Sequence, residues 1–326
     1  MKNIAIYYEV LGYQDRSIEL LEEKFTLWRF PEPGQENSQS LEEAEVLFAP
    51  LGYFIGDEMF RMCPNLGVIA SNTTGSAHID VAAARERNIA VVTLQDETEF
   101  LERITPTAEF TFALILTLTR NLISANQSVL AGDWIRWPYG GLRMLSRMTL
   151  GIIGFGRLGK LVARYADSFG MNVLMFDPYV EVTRHAALKV NSLVELAAKS
   201  DVVTVHAPLN SETTGLCGRE FFGNMKEKSF FINTARGEIV DEEALIEALR
   251  SGRLSGAATD VLSGEFNPSF SVSENRLWAY AKECSNLILT PHIGEFKRVF
   301  NYSCNQSKFY NCLKASKLIK NCINFF

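Results

Sequence analysis

The feature that most constrains the fold is a glycine loop in the middle of the chain, from Gly154 to Gly159, with the pattern G-x-G-x-x-G. An apolar run that predicts a strand, Thr149–Gly154, leads into this loop, and a helix-like segment, Lys160–Phe169, follows it. The pattern alone is a weak signal, but strand, loop and helix in this order are typical of a dinucleotide site in a doubly wound α/β sheet. The loop therefore predicts a Rossmann domain.

Each position of the loop has a predicted role. Gly154 would permit the tight turn, Gly156 the approach of the backbone to a pyrophosphate, and Gly159 a close contact between helix and strand. The backbone amides of Arg157 and Leu158 stand at the helix start and would face the phosphates. These five residues are the first predicted cofactor contacts.

An acidic residue, Asp177, follows Gly159 by 18 positions, at the end of the next predicted strand. Its carboxylate can accept hydrogen bonds from a ribose diol and would repel a 2′-phosphate, which predicts NAD rather than NADP as the cofactor. Arg157 complicates this choice, although its side chain could equally be a solvated charge over the pyrophosphate. A glycine turn with a capping aspartate and no ligand is the structural alternative.

A whole α/β lobe precedes the glycine loop, because short apolar runs alternate there with helix-like segments. The runs predict strands at Asn3–Tyr8, Phe25–Phe30, Ala44–Phe48, Leu66–Ala70 and Ile89–Thr93. A helical stretch from Thr107 to about Leu130, just after Pro106, predicts a hinge helix. The second lobe has predicted strands at Thr149–Gly154, Asn172–Asp177, Asp201–His206, Ser229–Asn233, Gly256–Asp260 and Leu287–Thr290. We therefore predict an α/β protein of two doubly wound parallel-sheet domains, a flavodoxin-like substrate lobe and a Rossmann NAD-binding lobe.

Composition excludes several other classes of protein. The net charge is −6 and no basic block stands out, so neither nucleic acid nor an anionic membrane is an expected partner. The longest apolar stretch, Phe110–Leu118, is shorter than the roughly 18 residues that a membrane span needs. The chain begins with a predicted strand and no secretion signal, so we expect a cytoplasmic protein. Its six cysteines form no C-x-x-C pair and have no histidine at zinc-site spacing, so no metal is expected.

Polar residues at strand ends are the candidates for chemistry, because ligands of an open α/β sheet bind beyond the carboxyl ends of its strands. In the second lobe these residues are Asp177, His206, Arg236, Asp260, Glu265 and His292. Each alone has an ordinary structural explanation: a lone arginine is usually in a surface ion pair, and a lone histidine is usually a satisfied polar residue. Together they suit hydride transfer between a dinucleotide and a 2-keto acid.

Four of these residues have predicted roles in such a reaction. Arg236 would supply a planar cationic fork for the carboxylate and carbonyl oxygens of the substrate. His292 would donate the proton in reduction and accept it in oxidation, since the pKa of an imidazole lies near working pH. Glu265, if within hydrogen-bond reach of His292, would fix the tautomer and raise the pKa of that histidine. Asp260 would accept a hydrogen bond from the nicotinamide carboxamide.

Several motifs, in order between about Ala44 and Gly294, resemble those of the D-isomer-specific 2-hydroxy acid dehydrogenases. Besides the glycine loop they are Ser71–Asp80, His206–Leu209, Asn233–Gly237, Gly256–Val261 with Glu265, and Pro291–Gly294. The resemblance implies D stereochemistry and puts Arg236, Glu265 and His292 on the family's catalytic positions. L-specific lactate and malate dehydrogenases fit less well, because their glycine loop lies near the N-terminus.

The resemblance also implies further contacts. The amides around Thr74, Gly75 and Ser76 would hold the substrate carboxylate together with Arg236. The remaining positions that would line the cofactor are Ala207, Pro208, Thr213, Thr234, Ala235 and Asp260.

Domain boundaries and assembly follow from the same resemblance. The family's substrate domain is discontinuous, which implies residues 1–102 with 295–326 for that domain and 103–294 for the NAD-binding domain. Family members are typically homodimers, and the aromatic segment Trp134–Gly141 lies where their dimer arm would be. A lid is the other interpretation of this segment.

The last 32 residues depart from the family pattern, with six lysines or arginines against one acidic residue. Our hypothesis is that a frameshift or altered terminus produced this segment, which would weaken closure of the substrate lobe.

A non-catalytic, NAD-sensing binding protein of the corepressor type is the alternative function on the same fold. Formate or phosphite oxidation is a third, although a glutamate beside the histidine favours hydroxy acids. The sequence does not predict which 2-hydroxy acid is the substrate.

Overall fold

A computed structural model of the chain describes residues 2–95, 98–180, 187–267 and 269–290. These residues form two separate parallel sheets, each with apolar clusters on both faces. Two predicted features lie outside the described residues, the catalytic residue His292 and the return of segment 295–326 to the first lobe. The predicted domain boundaries therefore remain predictions.

The first sheet has the strand order of a flavodoxin-like lobe. Its strands are β1 Asn3–Tyr8, β2 Phe25–Phe30, β3 Val46–Phe48, β4 Val68–Ala70 and β5 Ala90–Val92. They pair in parallel in the order β2-β1-β3-β4-β5, which is the order of flavodoxin-like sheets. The accompanying helices are α1 Asp15–Lys24, α2 Ser38–Glu43, α3 Asp57–Met62, α4 Val81–Glu86 and α5 Thr98–Leu101. The predicted class of this lobe is confirmed.

The second sheet is a Rossmann sheet with one strand more than the sequence predicted. Its strands are β6 Thr149–Ile153, β7 Asn172–Phe176, β8 Ala187–Lys189, β9 Val202–Val205, β10 Ser229–Asn233, β11 Leu254–Thr259 and β12 Leu287–Leu289. The parallel order β12-β11-β10-β9-β6-β7-β8 reverses direction between β6 and β9, where a doubly wound sheet opens its ligand crevice. The extra strand, β8, is a three-residue edge strand and does not change this topology.

The helices of the second lobe cover both faces of this sheet. They are α6 Pro106–Thr119, α7 Leu122–Leu130, α8 Arg157–Ser168, α9 Leu193–Lys199, α10 Arg219–Asn224, α11 Glu242–Arg250 and α12 Arg276–Glu283. Helices α6 and α8 supply one buried cluster, and α9 to α12 supply the other. Burial on both faces is the reason why the strands appear in the sequence as continuous apolar runs. No helix in the described ranges is long and apolar enough to cross a membrane.

The prediction of one long hinge helix was wrong. Arg120 and Asn121 separate α6 from α7, and Asn121 has a φ of 53°, in the left-handed region that asparagine tolerates better than most residues. Helix α6 is apolar almost all round and packs on α8 and β10, whereas α7 has no buried residue. The first helix is thus part of the Rossmann core, and the second leads out to the aromatic segment Trp134–Gly141, which contains a short 3₁₀ turn at Trp137–Tyr139.

Candidate active site

The glycine loop joins β6 to α8 as the sequence predicts, and two of its glycines are required by close contacts. Gly154 has a φ of 86°, and a Cβ atom there would lie 2.7 Å from the backbone nitrogen of Ala207. A Cβ atom at Gly159 would overlap the carbonyl oxygen of Gly154. By contrast, nothing lies within 4 Å of the position that a Cβ atom would take at Gly156, so the space above this residue is open to a ligand.

The start of α8 has the free donors that a pyrophosphate needs. The first helical hydrogen bond runs from the Lys160 amide to the Gly156 carbonyl oxygen, at 3.0 Å. The preceding amides of Arg157, Leu158 and Gly159 therefore point out along the helix axis without helical acceptors. With the open space above Gly156, this geometry fits the phosphates of a dinucleotide.

Asp177 lies directly beside the loop. Its Oδ2 atom accepts a hydrogen bond from the Phe155 amide at 2.8 Å, and its Oδ1 atom accepts from the amides of Tyr179 and Val180 at 2.9 and 3.2 Å. A carboxylate has about four acceptor positions, so these three bonds leave one on Oδ2 for a ribose hydroxyl. The carboxylate thus fits the predicted ribose contact and also fixes the loop.

The Arg157 side chain lies where the sequence did not predict it. Its Nη1 atom donates to the carbonyl oxygens of Leu101 and Ile104, at 2.9 and 2.5 Å, in the connection between the first lobe and α6. Burial lowers the pKa of this guanidinium. Two backbone carbonyls of the connection after α5 therefore bind its Nη1 atom, a contact that the sequence interpretations did not include.

The loop after β9 approaches the glycine loop through Ala207. His206 is neutral at working pH, since burial lowers its pKa to about 4, and its Nε2 atom lies 3.1 Å from the Thr204 hydroxyl. The Thr213 hydroxyl donates to the Pro208 carbonyl at 2.6 Å and closes the turn between them. The structure thus gives Thr213 a local structural role, and its predicted contact with the cofactor remains a prediction.

The turn after β10 presents Arg236. Buried Asn233 shapes this turn, because its side chain accepts from the Ala235 amide at 3.0 Å and donates to the Arg236 carbonyl at 2.9 Å. Thr234 contacts helix α6, where its hydroxyl lies 2.8 Å from that of buried Thr111. Thr111 was missed in the sequence, because nothing there separates it from the other threonines of α6.

Asp260 and Glu265 follow β11, and both are buried. Burial raises the pKa of Asp260 to about 7, although nearby Arg236 opposes the shift. The buried Oδ1 atom of Asp260 has no hydrogen-bond partner among the described residues, so it is an available acceptor for an NH₂ group such as a carboxamide. The Oε2 atom of Glu265 accepts from the Leu262 amide at 2.8 Å.

Arg236 reaches across to the substrate lobe. A Cβ atom at Gly75 would lie only 2.5 Å from the Arg236 Nη2 atom, so the guanidinium rests on the glycine. Within the part of the chain that the structure describes, no group accepts a hydrogen bond from the amides of Thr74, Gly75 or Ser76. Three free amides beside a guanidinium make a site suited to a carboxylate.

A polar cluster supports this loop and consists of buried Ser71 and His78 with half-buried Thr73. The Ser71 hydroxyl lies 2.9 Å from the Thr73 hydroxyl and 3.1 Å from His78 Nε2, and the Thr73 hydroxyl donates to the Gly75 carbonyl at 2.7 Å. Burial, reinforced by the charge of Arg236, lowers the pKa of His78 to about 4. In the sequence these residues belong to the Ser71–Asp80 motif, and none of them has a predicted role there.

The chain matches two sequence profiles that together span almost all of the described residues. Residues 4–129 match the D-isomer specific 2-hydroxyacid dehydrogenase catalytic domain, and residues 112–294 match the NAD binding domain of the same family. A glyoxylate reductase from Thermococcus gammatolerans is 33% identical over 294 residues, which are 86% of this chain and 83% of the relative. A D-3-phosphoglycerate dehydrogenase from Methanocaldococcus jannaschii is 34% identical over 266 residues, 80% of this chain, and one from Bacillus subtilis is 36% identical over 242 residues, 74% of this chain. The chain spans only 47% and 43% of the lengths of these last two relatives.

Solved structures agree with this assignment. An NAD-dependent formate dehydrogenase from Staphylococcus aureus in complex with NAD superposes with a TM-score of 0.73 at 29% identity, over 91% of this chain and 89% of that one. A D-lactate dehydrogenase from Aquifex aeolicus, complexed with NAD and lactic acid, superposes with a TM-score of 0.72 at 26% identity, over 98% and 95% of the two chains. The second lobe is therefore an NAD-binding domain with NAD as its cofactor, and the chain belongs to the D-isomer-specific 2-hydroxyacid dehydrogenase family.

Proposed function

We propose that this chain is an NAD-dependent dehydrogenase acting on the CH–OH group of a small D-2-hydroxy acid, or on the matching 2-keto acid. The observation that carries the proposal is the contact between Arg236 of the NAD-binding lobe and Gly75 of the first lobe. This contact places the guanidinium, a permanent cation, beside the three free amides of residues 74–76, at the carboxyl ends of both sheets. Asp260 and Glu265 lie at the end of the neighbouring strand, β11.

The substrate carboxylate would be held by the amides of Thr74, Gly75 and Ser76 and by one arm of the Arg236 guanidinium. A fork of this kind can donate to the C2 oxygen as well, which orients the carbonyl and stabilises negative charge on its oxygen. Removal of Arg236 should therefore weaken both binding and turnover. An Arg236→Lys substitution keeps the charge but loses the two-pronged guanidinium. Compared with removal of the side chain, we expect it to retain more of the substrate binding than of the turnover.

Proton transfer is assigned to His292, as the resemblance implies. A bound nicotinamide would supply hydride chemistry at C2, the substrate carbon that carries the keto or hydroxyl oxygen. His292 would protonate the C2 oxygen during reduction and remove the same proton during oxidation, while Glu265 would hold the imidazole and stabilise its charged form. Asp260 would accept the carboxamide NH₂ on its buried Oδ1 atom and so select the face of the ring.

The test is oxidation of NADH, followed by its absorbance, with glyoxylate, pyruvate, hydroxypyruvate, 3-phosphohydroxypyruvate and larger 2-keto acids. We expect turnover with at least one of them, less with NADPH, and NAD⁺ reduction with the D but not the L hydroxy acid. Background rates throughout the panel, despite tight NADH binding, would contradict the proposal. The named relatives and solved structures described above are dehydrogenases or reductases, so the binding-only alternative is not favoured.

We further propose a homodimer formed through the aromatic segment Trp134–Gly141. Large apolar side chains there are open to solvent in the isolated chain: Trp134 is 78% exposed, Trp137 is 89% exposed, and nearby Leu130 is 79% exposed. Apolar groups grouped in this way usually mark an interface. Light scattering should give twice the 36.5 kDa chain mass, and a monomer at micromolar concentration would contradict the assignment.

A cytoplasmic location is also proposed. Its support is that Cys63, Cys217 and Cys284 are free thiols, which is usual in a reducing compartment.

A further inference from the structure

Two acidic side chains, to which the proposed chemistry gives no role, hold the loop that carries Glu265. The loop spans residues 262–265, just after β11. The Gly264 amide donates to Glu238 Oε1 at 3.0 Å, and the Ser263 amide donates to Glu242 Oε1 at 2.9 Å. Both acceptors belong to the segment that follows Arg236. The loop is therefore bonded to the same stretch of chain that presents the cation.

Few hydrogen bonds join the residues of this loop to one another. Within it, the Glu265 amide donates to the Leu262 carbonyl at a long 3.3 Å, and the Leu262 amide donates to the Glu265 side chain. Gly264 has a φ of 76°, so the chain turns sharply there and leaves the amides of Ser263 and Gly264 without backbone acceptors. Because unpaired amides in a partly buried site are costly, the two carboxylates are what stabilises this conformation.

Gly237 brings the two segments into direct contact. A Cβ atom at this position would overlap the backbone of Leu262 and Ser263, so the loop packs on the bare Cα of the residue that follows Arg236. This contact fixes the separation, and the two hydrogen bonds fix the orientation. The backbone that follows Arg236 is therefore packed against, and hydrogen-bonded to, the loop that carries Glu265.

Glu242 is itself braced by a third element. Its Oε2 atom accepts from Asn275 Nδ2 at 2.9 Å, and Asn275 caps α12 by accepting from the Trp278 amide at 3.1 Å. Burial raises the pKa of Glu242, while its hydrogen bonds from Ser263 and Asn275 oppose the shift. The side chain is a partly buried structural acceptor, with both carboxylate oxygens in hydrogen bonds.

We propose that Glu238 and Glu242 are positioning residues that set the Glu265 carboxylate relative to Arg236 through the backbone of Ser263 and Gly264. They act through Glu265 and not on the substrate. This role rests on the proposed function, in which Glu265 orients the acid-base histidine. Because misplacement by about 1 Å costs up to a hundredfold in rate, loss of one anchor should lower turnover rather than binding.

Glu238 gives the cleaner test, because its substitution by glutamine keeps a carbonyl acceptor for the Gly264 amide. Glutamine at Glu242 would instead turn its NH₂ group toward that of Asn275. We expect Glu238→Ala to lower kcat about tenfold, which is about 1.4 kcal/mol in the barrier. The KM for the keto acid and the Kd for NADH should stay within about twofold. Glu238→Gln should recover kcat to within about threefold of the unmodified chain.

Glu243→Ala is the matched control. Glu243 lies in the same helix as Glu242, but its carboxylate pairs with Arg276, and the two side chains are 44% and 72% exposed. Its loss should leave kcat unchanged. Gly264→Ala is a second variant, since a side chain at positive φ strains the loop without touching Glu238, and it should lower kcat with NADH binding retained. This variant keeps the proposal testable even if Glu238→Ala does not fold.

Amide hydrogen exchange at Ser263 and Gly264 provides a readout that does not depend on turnover. Exchange at Gly264 should accelerate in Glu238→Ala and stay slow in Glu238→Gln and Glu243→Ala. Unchanged kcat and exchange in Glu238→Ala, or a loss of kcat that glutamine does not recover, would overturn the proposal. If the unmodified chain turns over no keto acid, the proposed function fails, and the exchange rates still decide whether Glu238 anchors the loop.

Discussion

Substitution of Gly75 by alanine tests the contact on which the site is built. The new Cβ atom would lie 2.5 Å from Arg236 Nη2, whereas ordinary contacts begin near 3.4 Å. The guanidinium must therefore move by about 0.9 Å, or the loop must retreat by the same amount. A displacement of this size in a positioned catalytic group costs one to two orders of magnitude in rate, or about 1.4–2.7 kcal/mol in the barrier.

The assay is kcat/KM for the best keto acid, with NADH affinity measured separately. We expect kcat/KM to fall about 10- to 100-fold, with NADH affinity unchanged because Gly75 belongs to the other lobe. Gly67→Ala is the matched control in the same lobe, since the nearest atom to its Cβ position is 3.9 Å away. Neither glycine has a positive φ, so neither substitution strains the backbone. Full activity in Gly75→Ala would show that Arg236 does not act from this position.

Three further substitutions test the cofactor site, the acid-base residue and the fold. Asp177→Asn should raise the kcat/KM with NADPH relative to NADH by about tenfold, because it removes the charge that repels a 2′-phosphate; an unchanged ratio of the two rates would contradict this role. His292→Ala should abolish turnover and leave NADH binding within about threefold, whereas equal loss of both would indicate a structural role. Asp201→Asn should lower the free energy of unfolding, measured with urea, by about 1–2 kcal/mol at neutral pH. Burial alone would raise the pKa of Asp201, but hydrogen bonds from Arg143, the Thr149 amide and Lys226 hold it below its usual range, so the stabilisation should be lost as pH falls through that lowered pKa.

Strand positions were predictable from the sequence, and breaks in regular structure were not. The bounds of β1, β2 and β10 are those that the sequence predicts. Strands β1 and β10 are largely buried on both faces, so no polar residue interrupts the middle of their runs, whereas the edge strand β2 exposes Thr26 and Arg29. Strand β8 escaped prediction, since it has three residues and its central Leu188 is 71% exposed. The break at Asn121 was also not predicted, because apolar residues continue on both sides of it in the sequence.

In the candidate site, only the polar residues that closely follow a strand could be predicted from the sequence. Arg236, Asp260 and Asp177 lie at such ends, so their placement follows from the general geometry of doubly wound sheets. The supporting residues do not follow, because their partners are distant in sequence: Thr111 meets Thr234 across 123 positions. Glu238 is likewise an ordinary acidic residue in the sequence, and only the fold brings it to the Gly264 amide.

The supporting residues also explain why the charge of Arg236 remains available to a substrate. Burial keeps His78 neutral at working pH, so it is not a second cation that would compete with Arg236 for an incoming carboxylate. Asp260 is one nearby acidic group, and burial raises its pKa to about 7, so it is only partly ionised near neutrality. A carboxylate that enters beside Gly75 therefore finds a guanidinium that Asp260 neutralises only in part, and the partly desolvated surroundings strengthen the attraction. Burial of His78 and burial of Asp260 thus both help to keep Arg236 available as the cation for a carboxylate.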